Sequence, residues 1–219
     1  MDLFDIIGPV MIGPSSSHTA GAARIGRLVR RMLGEPLSAA AIAFHGSFAK
    51  TWKGHGTDRA VIGGLMDMDV DDTRLRDSLA LAAEEGLRYT FTTVNLQGAH
   101  PNTMIIDAIG QSGKSLRAQA ASVGGGRVRI QSLDRLEVNF TGEDNTLLIR
   151  HRDAPGAIAQ VTGLLALAGV NIATMRVFRE EEGGNAVMVL ELDALPDAET
   201  VNALTHLRGV KAVTLFEKR

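Results

Sequence analysis

The chain has 219 residues, 45% of them apolar and 22% charged, a balance ordinary for a soluble globular protein of one large or two small domains. A formal charge of −2 leaves no excess of lysine and arginine for neutralising phosphates, which argues against nucleic-acid binding. With no cysteine, the chain by itself holds no disulfide and no thiolate-bound metal.

No apolar run approaches the roughly 18–20 residues that span a bilayer. The opening "MDLFDIIGPV" also lacks the basic region of a signal peptide. The expectation is a soluble, cytoplasmic protein that touches no membrane.

The first element is a helix in which Ile25, Leu28, Val29, Met32 and Leu33 recur at helical spacing, ended by Gly34 and Pro36. Its arginines, Arg24, Arg27, Arg30 and Arg31, read as a solvated face. "LSAAAIAFHG" reads as a buried strand running into His45. A second helix opens near Thr57, and Asp72 caps a third, "TRLRDSLALAAEEG", which stops at Gly86. The apolar period then changes from 3.6 to 2: Leu87, Tyr89 and Phe91 alternate with polar residues, and "MIIDAIG", "SLRAQAAS" and "RVRIQSL" follow between glycine-containing turns. Residues 1–140 therefore read as an α+β domain with a largely antiparallel sheet.

A polar cluster, "FTGEDNT", marks a boundary. Residues 145–219 follow with a βαββαβ order, the ferredoxin-like split arrangement. Pro155 near the helix start and Gly169 at its end obey the capping rules. The stretch "RDAPGAIAQVTGLLALAGVNI", with Asp153, Pro155, Gly156 and Gly169 to Ile172, resembles an ACT domain. The resemblance implies a regulatory module that pairs through its sheets and binds amino acids.

Chemistry concentrates in three motifs. In "GPSSSHTAG", Ser15, Ser16, Ser17 and Thr19 surround His18 where the first helix begins. Free N–H groups and the helix dipole favour an anion there, and His18 titrates near neutrality. Capping alone needs one hydroxyl, and five successive hydrogen-bonding side chains exceed it. In "KGHGTD", His55 lies between two glycines that let a ligand approach the backbone, with Thr57 and Asp58 opening the next helix. "HPNTM" places His100 and Asn102 around a proline, where turn chemistry is an adequate explanation. A structural hydrogen bond is at least as good a reading for His45, and His151 and His206 read as surface residues. "VGGGRV" is a wide turn and not a phosphate loop, and no helical histidine spacing points to a metal held by this chain.

Taken in order, "IGPSSSHTAGAARIG", "KGHGTDRAVIGGLMDM" and "HPNT" resemble the iron–sulfur-dependent L-serine dehydratases. With the ACT-like segment behind them, they resemble the separate β subunit of the two-chain form. The resemblance implies that the first domain is similar to the allosteric substrate-binding domain of D-3-phosphoglycerate dehydrogenases. It also implies a cysteine-bearing α subunit holding a [4Fe–4S] cluster, L-serine as substrate, and pyruvate and ammonia as products. Ser15, Ser16, Ser17 and Thr19 would bind the substrate carboxylate. His18 and His55 would contact substrate or move its proton, supported by Thr57 and Asp58, with His100 and Asn102 as further candidates. Which histidine is the base stays open, and a base on the α subunit is equally open. A second reading is a non-catalytic amino-acid-sensing regulatory protein, which has no need of two proton-active imidazoles.

Overall fold

A computed structural model describes residues 10–218. Contacts divide the chain into one unit ending at Arg135 and another beginning at Leu136.

The first described element of the first unit is a tight turn, Ser16–Ala20, wound as a π-helix and running straight into helix α1, Gly21–Leu33. All five apolar residues that define the helical period of α1 are buried. Gly34 ends the helix in the left-handed region at φ 81°, where a side chain is strained. Strand β1, Leu37–His45, is followed by a short helix α2, Gly46–Thr51, which the apolar pattern does not announce. Helix α3 spans Thr57–Leu65. The helix expected from Asp72 is two elements: a 3₁₀ turn, Thr73–Asp77, capped by the Asp72 carboxylate, and helix α4, Ser78–Glu84.

Strands β2 (Arg88–Val94), β3 (Thr103–Gly110), β4 (Ser115–Gly124) and β5 (Arg127–Leu133) complete the unit. They order as β2-β1-β3-β4-β5. β1 and β2 run parallel, joined by the helical crossover that parallel pairing requires, and the other pairs are antiparallel. The unit is therefore α+β with a mixed sheet.

Helices α1 and α3 pack through glycine. A Cβ on Gly26 would fall against the Val61 carbonyl, and one on Gly64 against the Ala23 carbonyl. The two backbones meet where side chains would normally hold them 8–10 Å apart. Two of the four arginines of α1 are also structural. Arg27 bonds Asp67 at 2.9 Å and Asp69 at 2.6 Å, and Arg24 Nη1 donates to the Gly126 carbonyl at 2.8 Å.

The second unit opens with β6, Leu136–Phe140. It continues with β7 (Thr146–Arg152), α5 (Ala157–Leu167), β8 (Ile172–Arg179), β9 (Asn185–Leu192), α6 (Ala198–Thr205) and β10 (Val210–Phe216). The four-stranded sheet has the order β10-β7-β9-β8 and is antiparallel throughout. Leu147, Ile149, Met188 and Leu190 from the sheet pack against Val161 and Leu165 of α5 and Leu204 of α6. The turn before α5 is fixed by Arg179, whose Nη1 donates to Asp153 at 2.9 Å and holds that carboxyl below the usual carboxylate range. His206 is exposed, as its sequence context suggests. His151 is not a surface residue: it is 2% exposed, with Nδ1 2.8 Å from the Arg152 carbonyl oxygen, because its place in β7 points it inward.

Candidate site around two imidazoles

The glycine contact between α1 and α3 brings together the segments that precede both helices. His18 stands three residues before α1 and His55 two before α3. Their rings lie 4.9 Å apart, centroid to centroid, with planes inclined at 34°. Two motifs 37 positions apart thus meet in one place.

Each imidazole has a distinct environment. His18 is held from several sides. Its N–H donates to Ser15 Oγ at 3.1 Å, its Nδ1 lies 3.4 Å from the same oxygen, and its Nε2 lies 3.0 Å from Ser47 Oγ. The Phe48 ring lies nearly perpendicular to it, with centroids 5.3 Å apart. Burial first, and the neighbouring His55 second, hold the His18 imidazole below the ordinary value of 6.5. It is therefore neutral near pH 7. His55 is held by its backbone instead: its N–H donates to the Thr51 carbonyl and its carbonyl accepts from Thr19 Oγ1 at 3.1 Å. Its Nδ1 is buried without a hydrogen-bond partner.

The remaining hydroxyls are disposed unequally. Ser15 caps the π turn and Thr19 ties it to the His55 loop, while Ser16 and Ser17 are half-buried within it. Gly13, at φ 121°, lies so close to Thr19 that a Cβ there would come within 2.5 Å of its methyl carbon. Thr57 is fully buried and its Oγ1 has no partner, so it does not brace the His55 ring at Nδ1. Asp58 Oδ1 accepts the N–H of Arg59 at 2.9 Å and places a negative charge in the first turn of α3, where the helix dipole favours it.

The third motif joins the other two through Ser47. The Ser47 N–H donates to the Pro101 carbonyl at 2.7 Å, and Gly46 is so close to Pro101 that a Cβ would overlap the same oxygen. His100 Nδ1 accepts from the Asn102 N–H at 3.2 Å. The Asn102 carbonyl accepts from the Ser122 N–H at 2.9 Å, and both Asn102 Oδ1 and Ser122 Oγ are buried without partners. His45 belongs to none of this: its Nδ1 accepts from the Leu96 N–H at 3.1 Å, a structural bond.

Sequence reasoning missed Ser47 and Ser122. Ser47 follows the carboxyl end of β1, whose neighbour β2 is parallel, and in open α/β sheets ligands bind at the carboxyl ends of parallel strands. That position was its signal. Ser122 gave none, because one serine in a strand is unremarkable until a buried, unsatisfied oxygen is seen.

Comparison with known proteins agrees with this organisation. The family model "Serine dehydratase beta chain" matches residues 1–85 and the "ACT domain" model matches residues 145–209. The probable L-serine dehydratase beta chain of Bacillus subtilis is 42% identical over 97% of this chain and 96% of its own length. The L-serine dehydratase beta chain of Peptoniphilus asaccharolyticus is 36% identical over 87% of this chain and 86% of its own. The D-3-phosphoglycerate dehydrogenase of Bacillus subtilis is 27% identical over 90% of this chain but only 37% of its own. Two relatives above 30% identity, matched along nearly their whole length, place this chain in the family of L-serine dehydratase beta chains.

Proposed function

We propose that the chain is the β subunit of an iron–sulfur-dependent L-serine dehydratase and that it builds one wall of the active site. The observation that carries this reading is the meeting of His18 and His55 at 4.9 Å, with Ser47 and the Pro101–Asn102 turn beside them. A sensor has no evident need of two adjacent imidazoles, one kept neutral and one with an unpartnered nitrogen.

The residues of this chain do not suit an iron–sulfur cluster. It contains no cysteine, and among the described residues no group of three or more His, Asp or Glu side chains gathers. The [4Fe–4S] cluster is accordingly assigned to a cysteine-bearing α subunit. The reaction removes the α-proton and the β-hydroxyl of L-serine as water. The aminoacrylate tautomerises to an imine, and hydrolysis of the imine gives pyruvate and ammonia.

This chain contributes neutral imidazole and ordered donors. His55, which lines the cleft beside the Gly13–Pro14 turn, is the candidate to take a proton. His18, engaged at both nitrogens, orients the pair. Ser16, Ser17 and the π turn offer donors to the carboxylate. The test is anaerobic co-expression with a cysteine-bearing α chain and a pyruvate assay on L-serine. Pyruvate formation that requires both chains supports the reading. A pair that assembles with its cluster intact and forms none overturns it.

A further inference from the structure

One cleft carries more charge than the imidazole pair explains. It opens between the Gly13–Pro14 turn and the loop before α3, has a volume of about 200 Å³, and bears His55 on its wall. Lys53, Arg59 and Arg76 line it, from three different segments: the loop after α2, helix α3 and the 3₁₀ turn. No aspartate or glutamate lines it. None of the three cations takes part in a salt bridge among the described residues, although the neighbouring Arg74 pairs with Asp72 at 2.6 Å and Arg27 with Asp69 at the same distance.

The cleft is braced by contacts within this unit. Thr19 Oγ1 donates to the His55 carbonyl across its floor, the Ile12 N–H donates to the Val70 carbonyl at 2.8 Å, and Lys53 Nζ is held over the Trp52 ring at 5.1 Å. Like charges gathered round a concave surface raise the local potential and attract a counter-charge. The volume matches roughly six water molecules, enough for a small organic acid or a phosphate.

We propose that this cleft binds a small anion bearing a carboxylate or a phosphate, with Arg59 and Arg76 as its principal ligands. The two arginines can grip such a group bidentately. His55 and Thr19 also belong to the proposed active site, so the proposal rests on that reading; it is tested by binding, without turnover, so that its failure and a failure of catalysis are distinguishable.

The full chain is titrated with sodium pyruvate and, separately, with inorganic phosphate, each against sodium chloride of equal ionic strength. Backbone amide NMR shifts of Thr19, Gly54 and His55 report on the cleft. Saturable shifts with pyruvate alone identify a carboxylate site, with phosphate alone a phosphate site, and with both a general small-anion site; each supports the proposal. Arg59→Gln/Arg76→Gln weakens binding roughly tenfold or more, and Arg59→Lys/Arg76→Lys retains part of it. Both arginines are exposed, so the variants keep the fold, as an unchanged amide spectrum elsewhere verifies. Shifts no different from those of chloride, or undiminished affinity in the glutamine variant, overturn the proposal.

Discussion

His18 Nε2 lies 3.0 Å from the Ser47 hydroxyl, and this contact joins the helix-entry motif to the end of the central strand. Ser47 in turn donates its N–H to Pro101, so three segments remote in sequence are linked through one serine. Ser47→Ala removes the Nε2 partner while leaving the Pro101 bond intact. The expected result is a change in the His18 tautomer, visible in imidazole nitrogen shifts, and roughly tenfold lower turnover in the assembled enzyme. Unaltered imidazole shifts would show that Ser47 does not position the ring.

Direct loss of either imidazole is more severe. In the reconstituted pair, His18→Ala and His55→Ala each lower pyruvate formation by roughly 100-fold or more, the scale of a positioned acid or base. His206→Ala, on an exposed turn of the second unit, changes little. Thermal melts of each variant separate chemistry from folding. Near-normal turnover in both His18→Ala and His55→Ala would remove the imidazole pair from the mechanism.

The lowered His18 value also reaches folding. In the unfolded chain the residue titrates near 6.5, and in the folded chain burial and then His55 hold it lower. Between those two values the unfolded chain binds more protons, so stability rises with pH across the window and is lost as pH falls through it. Above 6.5 the residue adds no slope. Urea melts at about pH 7.5 and about pH 5.5 should therefore show a smaller acid loss in His18→Gln than in the parent chain. An equal loss in both would assign the acid sensitivity to other groups.

Gly64 sets how near the two helices come. Gly64→Ala drives a methyl group into the Ala23 carbonyl, which is backbone and cannot swing aside. Overpacking of this kind costs about 1–3 kcal/mol. The expected outcome is a lower melting temperature together with a turnover defect, since the segments carrying His18 and His55 are displaced as α1 and α3 separate. An alanine variant as stable and as active as the parent would show that the helices accommodate the methyl group.

The second unit gives a prediction about assembly. Its antiparallel sheet has an ACT-type order, and the expectation is that two copies pair through residues 145–219. A chain shortened after Asp144 should remain soluble and sediment as a smaller species. An unchanged sedimentation coefficient, after allowance for mass, would place the pairing surface elsewhere.

Much of this was legible because the local rules agreed with the fold. The apolar residues of α1 repeat at helical spacing and are all buried. The βαββαβ order of the second unit follows from its turns and caps. What stayed hidden was non-local. The parallel pairing of β1 with β2 leaves no period of its own, since Ala39, Ala40, Ala41 and Ala43 are small residues that fit either direction of partner. His151 looked like a surface residue because a polar neighbour on each side masked its inward register. The role of Ser47 depends on a contact with a histidine 29 residues away. A residue's neighbours in sequence do not reveal that.

The contact of Gly26 with α3 and of Gly64 with α1 has a consequence for inheritance. In most packed pairs a larger residue on one side can be offset by a smaller one on the other. Here neither position has an atom left to surrender, since each glycine presses on the opposite helix's main chain. The two sites therefore cannot drift by reciprocal exchange, and each is pinned separately by its own obstacle. A lineage that lost either glycine would have to re-lay a whole helix to recover the spacing of the two imidazoles.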